Sequence, residues 1–99
     1  MEQTLLTVPV SQYHPLMVSM RVCATTTDSQ IAAFGNSQVA VYNDGVNVYP
    51  ITSLPAFNLT MQPGFPGSLS WSIVDNRYLV LTAVNDAPIN WVIGYNIDR

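Results

Sequence analysis

The chain has 99 residues, 48% of them hydrophobic, which fits one globular domain over residues 1–99 and excludes an intrinsically disordered protein. Only 9% of the residues are charged, against roughly 25% in typical soluble domains, and lysine is absent. The cations are Arg21, Arg77 and Arg99 and the net charge is -3. These totals exclude the basic patch that binds nucleic acid or an anionic membrane surface.

Two β-strands are predicted in the first quarter of the chain, at residues 4–10 and 16–24. In the second strand, Val18 and Val22 lie on one face, and polar residues alternate with them. Cys23 stands in an apolar run, so we expect it to be a small buried hydrophobic residue. Because it is the only cysteine, it can form neither an intrachain disulfide nor a cysteine-based metal site.

The segment 25–37 is ambiguous between helix and strand. Asp28 is a suitable N-cap for a very short helix through residues 30–33, and Gly35 or Asn36 would end it. A loop with a short strand is the alternative.

The clearest signal follows, in two alternating runs around the Asp-Gly pair at 44–45. A two-residue type I′ turn is predicted there, because Asp-Gly is one of the pairs that favour positive φ at both central positions. This turn would place Val41 opposite Val48 on a valine-rich face. It would also place Tyr42 opposite Asn47 on a polar face.

Prolines divide the middle of the chain. A short strand is predicted at residues 56–61, and residues 63–67 form a loop because their prolines and glycines support neither helix nor central strand. Phe65 is the one large apolar residue in this loop. It either plugs the core of its own chain or reaches into a neighbouring subunit.

A second hairpin is predicted from residue 68 to residue 84, with its turn at 75–76. A two-residue turn would place Trp71 opposite Val80, a favourable aromatic–aliphatic pair. The other pairs in this register are Ile73 with Tyr78, Ser72 with Leu79 and Ser70 with Leu81. A last strand is predicted at residues 91–97, with Trp91 on the face that carries the large apolar side chains. We assign Trp71 and Trp91 to the core.

Short alternating strands separated by turn signals predict an all-β fold. We expect a single antiparallel β-sandwich, jelly-roll or immunoglobulin-like, with a small β-barrel as the alternative.

No catalytic residue, metal site or cofactor is predicted. His14 is the only histidine and reads as a loop residue beside a proline, and one histidine with one cysteine cannot make a tetrahedral zinc site. The aspartates fall in predicted turns, caps or the terminus, where they accept backbone hydrogen bonds. They are Asp28, Asp44, Asp75, Asp86 and Asp98.

Aromatic residues are the remaining candidates for contacts. Tyr42 and Tyr49 flank the Asp-Gly turn on the polar face, where they could stack on a sugar or pack against another subunit. Together with Phe65 they are the predicted interface or ligand contacts.

The lack of lysine leaves the sheet edges poorly guarded, which predicts assembly with copies of the chain or with a larger scaffold. We therefore expect a non-enzymatic structural protein, such as a capsid, decoration, spike or tail component of a virion. A small carbohydrate- or ligand-binding module is one alternative, and a secreted pilus or adhesin domain is another. The N-terminal residues 1–6 lack the features of a secretory signal, so we expect synthesis in the cytoplasm.

Overall fold

The computed structural model describes residues 2–28 and 30–99, and the regular structure of these residues consists of β-strands alone. The all-β prediction is therefore confirmed. The strands are β1 (Glu2–Pro9), β2 (Pro15–Thr26), β3 (Ala32–Asn43), β4 (Val48–Pro50), β5 (Asn58–Met61), β6 (Gly67–Val74), β7 (Tyr78–Asn85) and β8 (Ile89–Asp98).

The strands form two antiparallel sheets. The small sheet has the order β1-β7-β6, and the large sheet has the order β4-β3-β2-β8. Strand β5 also pairs with β3, so β4 and β5 together form one edge column of the large sheet. The arrangement is sandwich-like and the described strands form no closed barrel, so the barrel alternative is wrong.

Both sheets contribute to one main core, because inward and outward side chains alternate along each strand. Met20 on β2 is fully buried, as are Leu79 and Leu81 on β7. Trp71 on β6 is 6% exposed, which confirms its place in the core. Its indole N–H donates a hydrogen bond to Ser37 Oγ on β3 at 3.0 Å, and this contact joins the two sheets.

Of the two alternatives for residues 25–37, the short helix is wrong, and the structure has a turn followed by a strand. Asp28 does act as a cap, accepting a hydrogen bond from Thr26 Oγ1 at 2.5 Å and one from the backbone N–H of Gln30 at 3.1 Å. It closes a turn between strands, and β3 begins at Ala32. The continuous pairing of β2 with β3 satisfies the backbone of both strands, and this outweighs a weak local helix signal.

The first predicted hairpin exists, but its register differs from the prediction. The observed pairs are Val41 with Pro50, Tyr42 with Tyr49 and Asn43 with Val48. The carboxylate of Asp44 accepts hydrogen bonds from the backbone N–H groups of Val46 at 2.9 Å and Asn47 at 2.8 Å. This side-chain capping stabilises a longer loop in place of the two-residue type I′ turn.

The second hairpin has the positive φ angles of a type I′ turn, 55° at Asp75 and 54° at Asn76. Arg77 is an additional residue outside the ladder, so the register is one residue away from the prediction. The observed pairs include Trp71 with Leu81, Ser72 with Val80 and Ile73 with Leu79. The shift places both leucines on the core face, where their burial favours this register.

Candidate functional site

The candidate site is the side of the large sheet that points away from the small sheet, which we call the outer face. A row of apolar residues crosses it: Val92 on β8 pairs with Cys23 on β2, which pairs with Phe34 on β3. Val92 is 68% exposed and Phe34 61% exposed, and Cys23 is exposed between them. Adjacent apolar side chains left open to solvent on neighbouring strands are typical of an interaction surface.

Sequence reasoning was wrong about one member of this row and missed another. Cys23 is exposed because it alternates with the buried residues Val22 and Ala24 along β2. Phe34 was missed because residues 25–37 were divided between a helix and a loop. The alternation upstream of Val39 was the available signal, since an inward Ala33 and Val39 require an outward Phe34.

A second aromatic row lies at the other end of the outer face. Tyr42 and Tyr49 pair directly across β3 and β4, with ring centroids 5.6 Å apart and planes inclined by 34°. Each tyrosine is 39% exposed, and the side-chain amide of Asn47 donates a hydrogen bond to Tyr49 Oη at 3.1 Å. The structure thus brings these two predicted contact residues together, whereas the sequence paired Tyr42 with Asn47.

The centre of the outer face is polar and carries few charges. Ser19, Gln38 and Asn96 form its middle row. Arg21 lies beside Gly94, and a Cβ atom placed on that glycine would be 3.4 Å from an Arg21 guanidinium nitrogen. Asp98, which pairs with Met17, ends the face on the other side of the middle row.

Phe65 lies apart from this face. It is 8% exposed and packs against Ala24 and Ala33 in a second buried cluster. Its ring meets that of Trp91 edge to face, with centroids 6.0 Å apart and planes at 88°. Of the two roles that the sequence left open, this position fits the plug of its own core. Trp91, assigned to the core, is only half-buried.

Loops gather at one end of the sandwich around the turn at Asp44. The side-chain amide of Gln12 donates to Gly45 O at 3.2 Å, and that of Asn43 donates to Val10 O at 3.1 Å. Hydrogen bonds from the backbone N–H of Asn47 and then of Val46 lower the pKa of Asp44 below its usual value. These amides and carboxylates are engaged with their own chain, which identifies them as structural groups.

Two turns are therefore held by carboxylates of lowered pKa. At the other one, the hydrogen bond from the Thr26 hydroxyl, followed by that from the Gln30 backbone, lowers the pKa of Asp28. Both aspartates adjoin the ends of β3, so the strand that carries Phe34 and Tyr42 is fixed at both ends.

The single histidine has no catalytic partner set around it. His14 lies in the loop between β1 and β2, as predicted, beside a cleft of about 200 Å³ lined by Ser11, His14, Pro15, Leu16 and Arg99. This lining includes no acidic side chain to orient the imidazole, which a nucleophilic triad requires.

Across residues 2–28 and 30–99, no group of three or more His, Cys, Asp or Glu side chains could hold a metal ion. The same residues contain no helix long and apolar enough to cross a membrane. No family model, curated protein or solved structure with which the chain was compared matches it.

Proposed function

We propose that the protein is a non-enzymatic structural component that works by assembly, joining copies of itself or a larger particle through its outer face. Its setting in this proposal is a virion, as a capsid, decoration, spike or tail component made in the cytoplasm. The virion setting rests on the charge-poor, lysine-free all-β composition, and the assembly role rests on the surface.

The observation that carries the proposal is the exposed apolar row Val92–Cys23–Phe34 across three strands of the large sheet. Removing apolar surface from water is worth roughly 25 cal/mol per Å², so a partner that covers this row gains a substantial part of its binding energy there. Exposed aromatic and apolar side chains of this kind are the usual anchors of interaction sites.

The edge strand β8 adds to this support. It runs for 10 residues, Ile89–Asp98, and pairs with β2 on one side. Neither lysine nor proline lies within it, and these are the residues that usually protect a sheet edge. An unprotected sheet edge next to an exposed apolar face favours a functional state in which another protein chain covers this surface.

The test is the molar mass of the purified chain in solution, measured by light scattering on a sizing column over a wide range of protein concentration. We expect a discrete oligomer or a mass that rises with concentration. A mass that stays at one chain up to the highest concentration would overturn self-assembly.

A carbohydrate-binding role is the second candidate, favoured by the exposed pair Tyr42 and Tyr49 with the Asn47 amide beside it. Aromatic faces stack on sugar rings, and amides hydrogen-bond to sugar hydroxyls. A glycan array probed with the wild-type chain and with Tyr42→Ala and Tyr49→Ala tests it. Binding that is lost in both variants would support this role, and no binding to any glycan would remove it.

A further inference from the structure

We propose that the outer face docks onto the outer face of a second copy, about a two-fold axis that crosses the strands at the Ser19 row. This inference rests on the proposed assembly function and specifies the partner and its register. The argument begins with the order of rows along β2, where outward residues occur at every second position. The outward residues are Pro15, Met17, Ser19, Arg21 and Cys23.

The rows on the two sides of Ser19 are complementary. An axis through this row exchanges the row of Cys23 with the row of Pro15. Phe34 pairs with Cys23 and Tyr42 pairs with Pro15, both on β3. The same axis therefore lays Phe34 of each copy over Tyr42 of the other, which buries the most exposed aromatic ring of the face against the tyrosine pair.

The charges follow the same symmetry. The axis places the row of Arg21 over the row of Met17, whose partner on β8 is Asp98. Asp98 of the second copy then lies above Gly94, and the Arg21 guanidinium already rests against that glycine. Each interface contains this ion pair twice, with the arginine of one copy facing the aspartate of the other. Such an arrangement is the self-complementarity that an isologous contact requires.

The middle row meets itself. Ser19, Gln38 and Asn96 lie on the axis, and hydroxyls and amides are both donors and acceptors, so each satisfies its own symmetry copy. Twisted sheets that pack face to face cross at about 30°. The crossing displaces facing residues by roughly 3 Å at the Arg21 row and roughly 7 Å at the Cys23 row, so the match is closest near the axis.

The face is large enough for a stable contact. With the axis at Ser19, the rows that overlap the second copy run from Pro15 to Cys23 on β2, a length of about 30 Å at the usual rise per residue. The columns β4/β5, β3, β2 and β8 span about 19 Å at the usual strand spacing. The overlap is therefore about 570 Å² per copy, or about 1,100 Å² in total, which exceeds the roughly 1,000 Å² that a specific interface needs.

Two other self-contacts leave the charges unpaired. An axis parallel to the strands would stack each row on the equivalent row and separate Arg21 from Asp98 of the second copy by about 13 Å along the strand. Edge-to-edge pairing through β8 would extend the sheet and leave Phe34 and Tyr42 open to solvent. These arrangements are therefore distinguishable from the proposed one by the response to charge.

The first experiment exchanges the charges. We expect Arg21→Asp and Asp98→Arg each to weaken self-association at least tenfold, because each brings like charges together. The double variant should recover most of the wild-type affinity, since the pair is re-formed in reverse between copies. Four residues separate the two rows on β2, about 13 Å, which is too far for an ion pair within one chain.

The matched controls are Arg77→Asp and Asp86→Arg, which reverse exposed charges outside the large sheet's face. Both should leave association unchanged. A wild-type oligomer that ignores both face substitutions, or a double variant weaker than either single one, would overturn the register while the assembly function stands. A monomeric wild-type chain would overturn docking between copies, and the proposed function would then require a larger particle as the partner.

The second experiment measures the register directly through Cys23, the native cysteine on the exposed face. A spin label on Cys23 should give a distance of about 28 Å between copies, from eight residues of offset along the strand and about 10 Å between packed sheets. The parallel axis would give a distance near that 10 Å sheet spacing. A short distance would overturn the proposed axis.

Discussion

The two sheets of this molecule present very different outer faces, although both belong to the same charge-poor chain. The outward residues of the small sheet are mainly hydroxyl-bearing: Thr4, Thr7, Ser68, Ser70, Ser72 and Thr82. Val80, at the centre of that face, is nearly covered by its neighbours. The large sheet instead exposes Phe34 and Val92, with a tyrosine pair at its other end.

The difference between the two faces shows that a lack of charge does not by itself make a surface prone to association. Serine and threonine hydroxyls hydrate most of the small sheet, and its exposed valines, Val74 and Val84, lie at opposite ends of the face. Exposed apolar side chains that are separated in this way are ordinary for a soluble protein. On the large sheet, exposed apolar residues are direct cross-strand neighbours. The proposed interaction surface therefore rests on the arrangement of side chains on a pleated face more than on composition.

The two sheets cover one shared core, and Trp71→Ala tests this with the largest expected change in stability. Trp71 is buried, its ring lies 6.4 Å from that of Phe57, and its N–H bonds to Ser37 on the other sheet. Truncation should lower the free energy of unfolding by about 3–5 kcal/mol. Urea denaturation measures it, with Val92→Ala as an exposed control expected to change stability by about 0.5 kcal/mol or less.

A loss well under about 2 kcal/mol for Trp71→Ala would mean that the cavity is easily refilled and that the two sheets are only loosely joined.

The sequence predicts the features of this contrast that depend on residues close together in the chain better than those that depend on residues far apart in it. Alternation over six to eight residues is local, so the strands around Val18 and Trp71 were predicted correctly. The register of a hairpin depends instead on how many residues its turn contains. The Asp44 carboxylate and the additional residue Arg77 each changed the pairing, and no local pattern distinguishes these turns from two-residue ones.

The proposed interaction surface was harder still to predict, because it consists of residues from separate strands. Tyr42 and Tyr49 were correctly placed on the surface, but their contact followed only from the observed register. Phe34 lay in the segment with conflicting signals, and its exposure is set by the pairing of β3 with β2. Sequence reasoning therefore placed the two tyrosines on the surface but missed Phe34, the most exposed aromatic residue of the outer face.

A substitution between the sheets tests whether the Phe65 end belongs to the interior. A Cβ atom on Gly67 would lie 2.5 Å from Ile89 Cδ1, 3.1 Å from Phe65 Cε2 and 3.3 Å from Trp91 Cζ2. Gly67→Ala should therefore destabilise by about 1–3 kcal/mol through overpacking. Ser68→Ala, at the next and exposed position, is the control. Equal stability of both variants in thermal unfolding would show that the Ile89 and Phe65 side chains can shift to admit the methyl group.

A matched pair of substitutions tests the contrast between the faces directly. Phe34→Ser on the large sheet should weaken self-association by about tenfold, because it removes the aromatic contact with Tyr42 of the second copy. Val84→Ser, at an exposed position of the small sheet, should leave association unchanged. Sedimentation equilibrium of both variants measures this. Equal weakening by the two substitutions would contradict a difference between the faces.

The smallest expected effect concerns the turns that hold β3 in the large sheet. The backbone N–H groups of Asn47 and Val46 lower the pKa of Asp44 from 3.8, and the Thr26 hydroxyl lowers that of Asp28. A carboxylate whose pKa is lowered in the folded state stabilises the fold at any pH above its unfolded-state pKa. This stabilisation is lost as the pH falls through its folded-state pKa. We expect the wild-type melting temperature to decrease as the pH is lowered from 3.8. Because both groups are exposed, the decrease should be small and sensitive to salt.

Asp44→Asn keeps an oxygen acceptor for the turn but removes the titration, so its melting temperature should fall less steeply over that range. An identical acid slope in the variant would mean that the turn tolerates a neutral Asp44, and that the large sheet owes its rigidity to strand pairing alone.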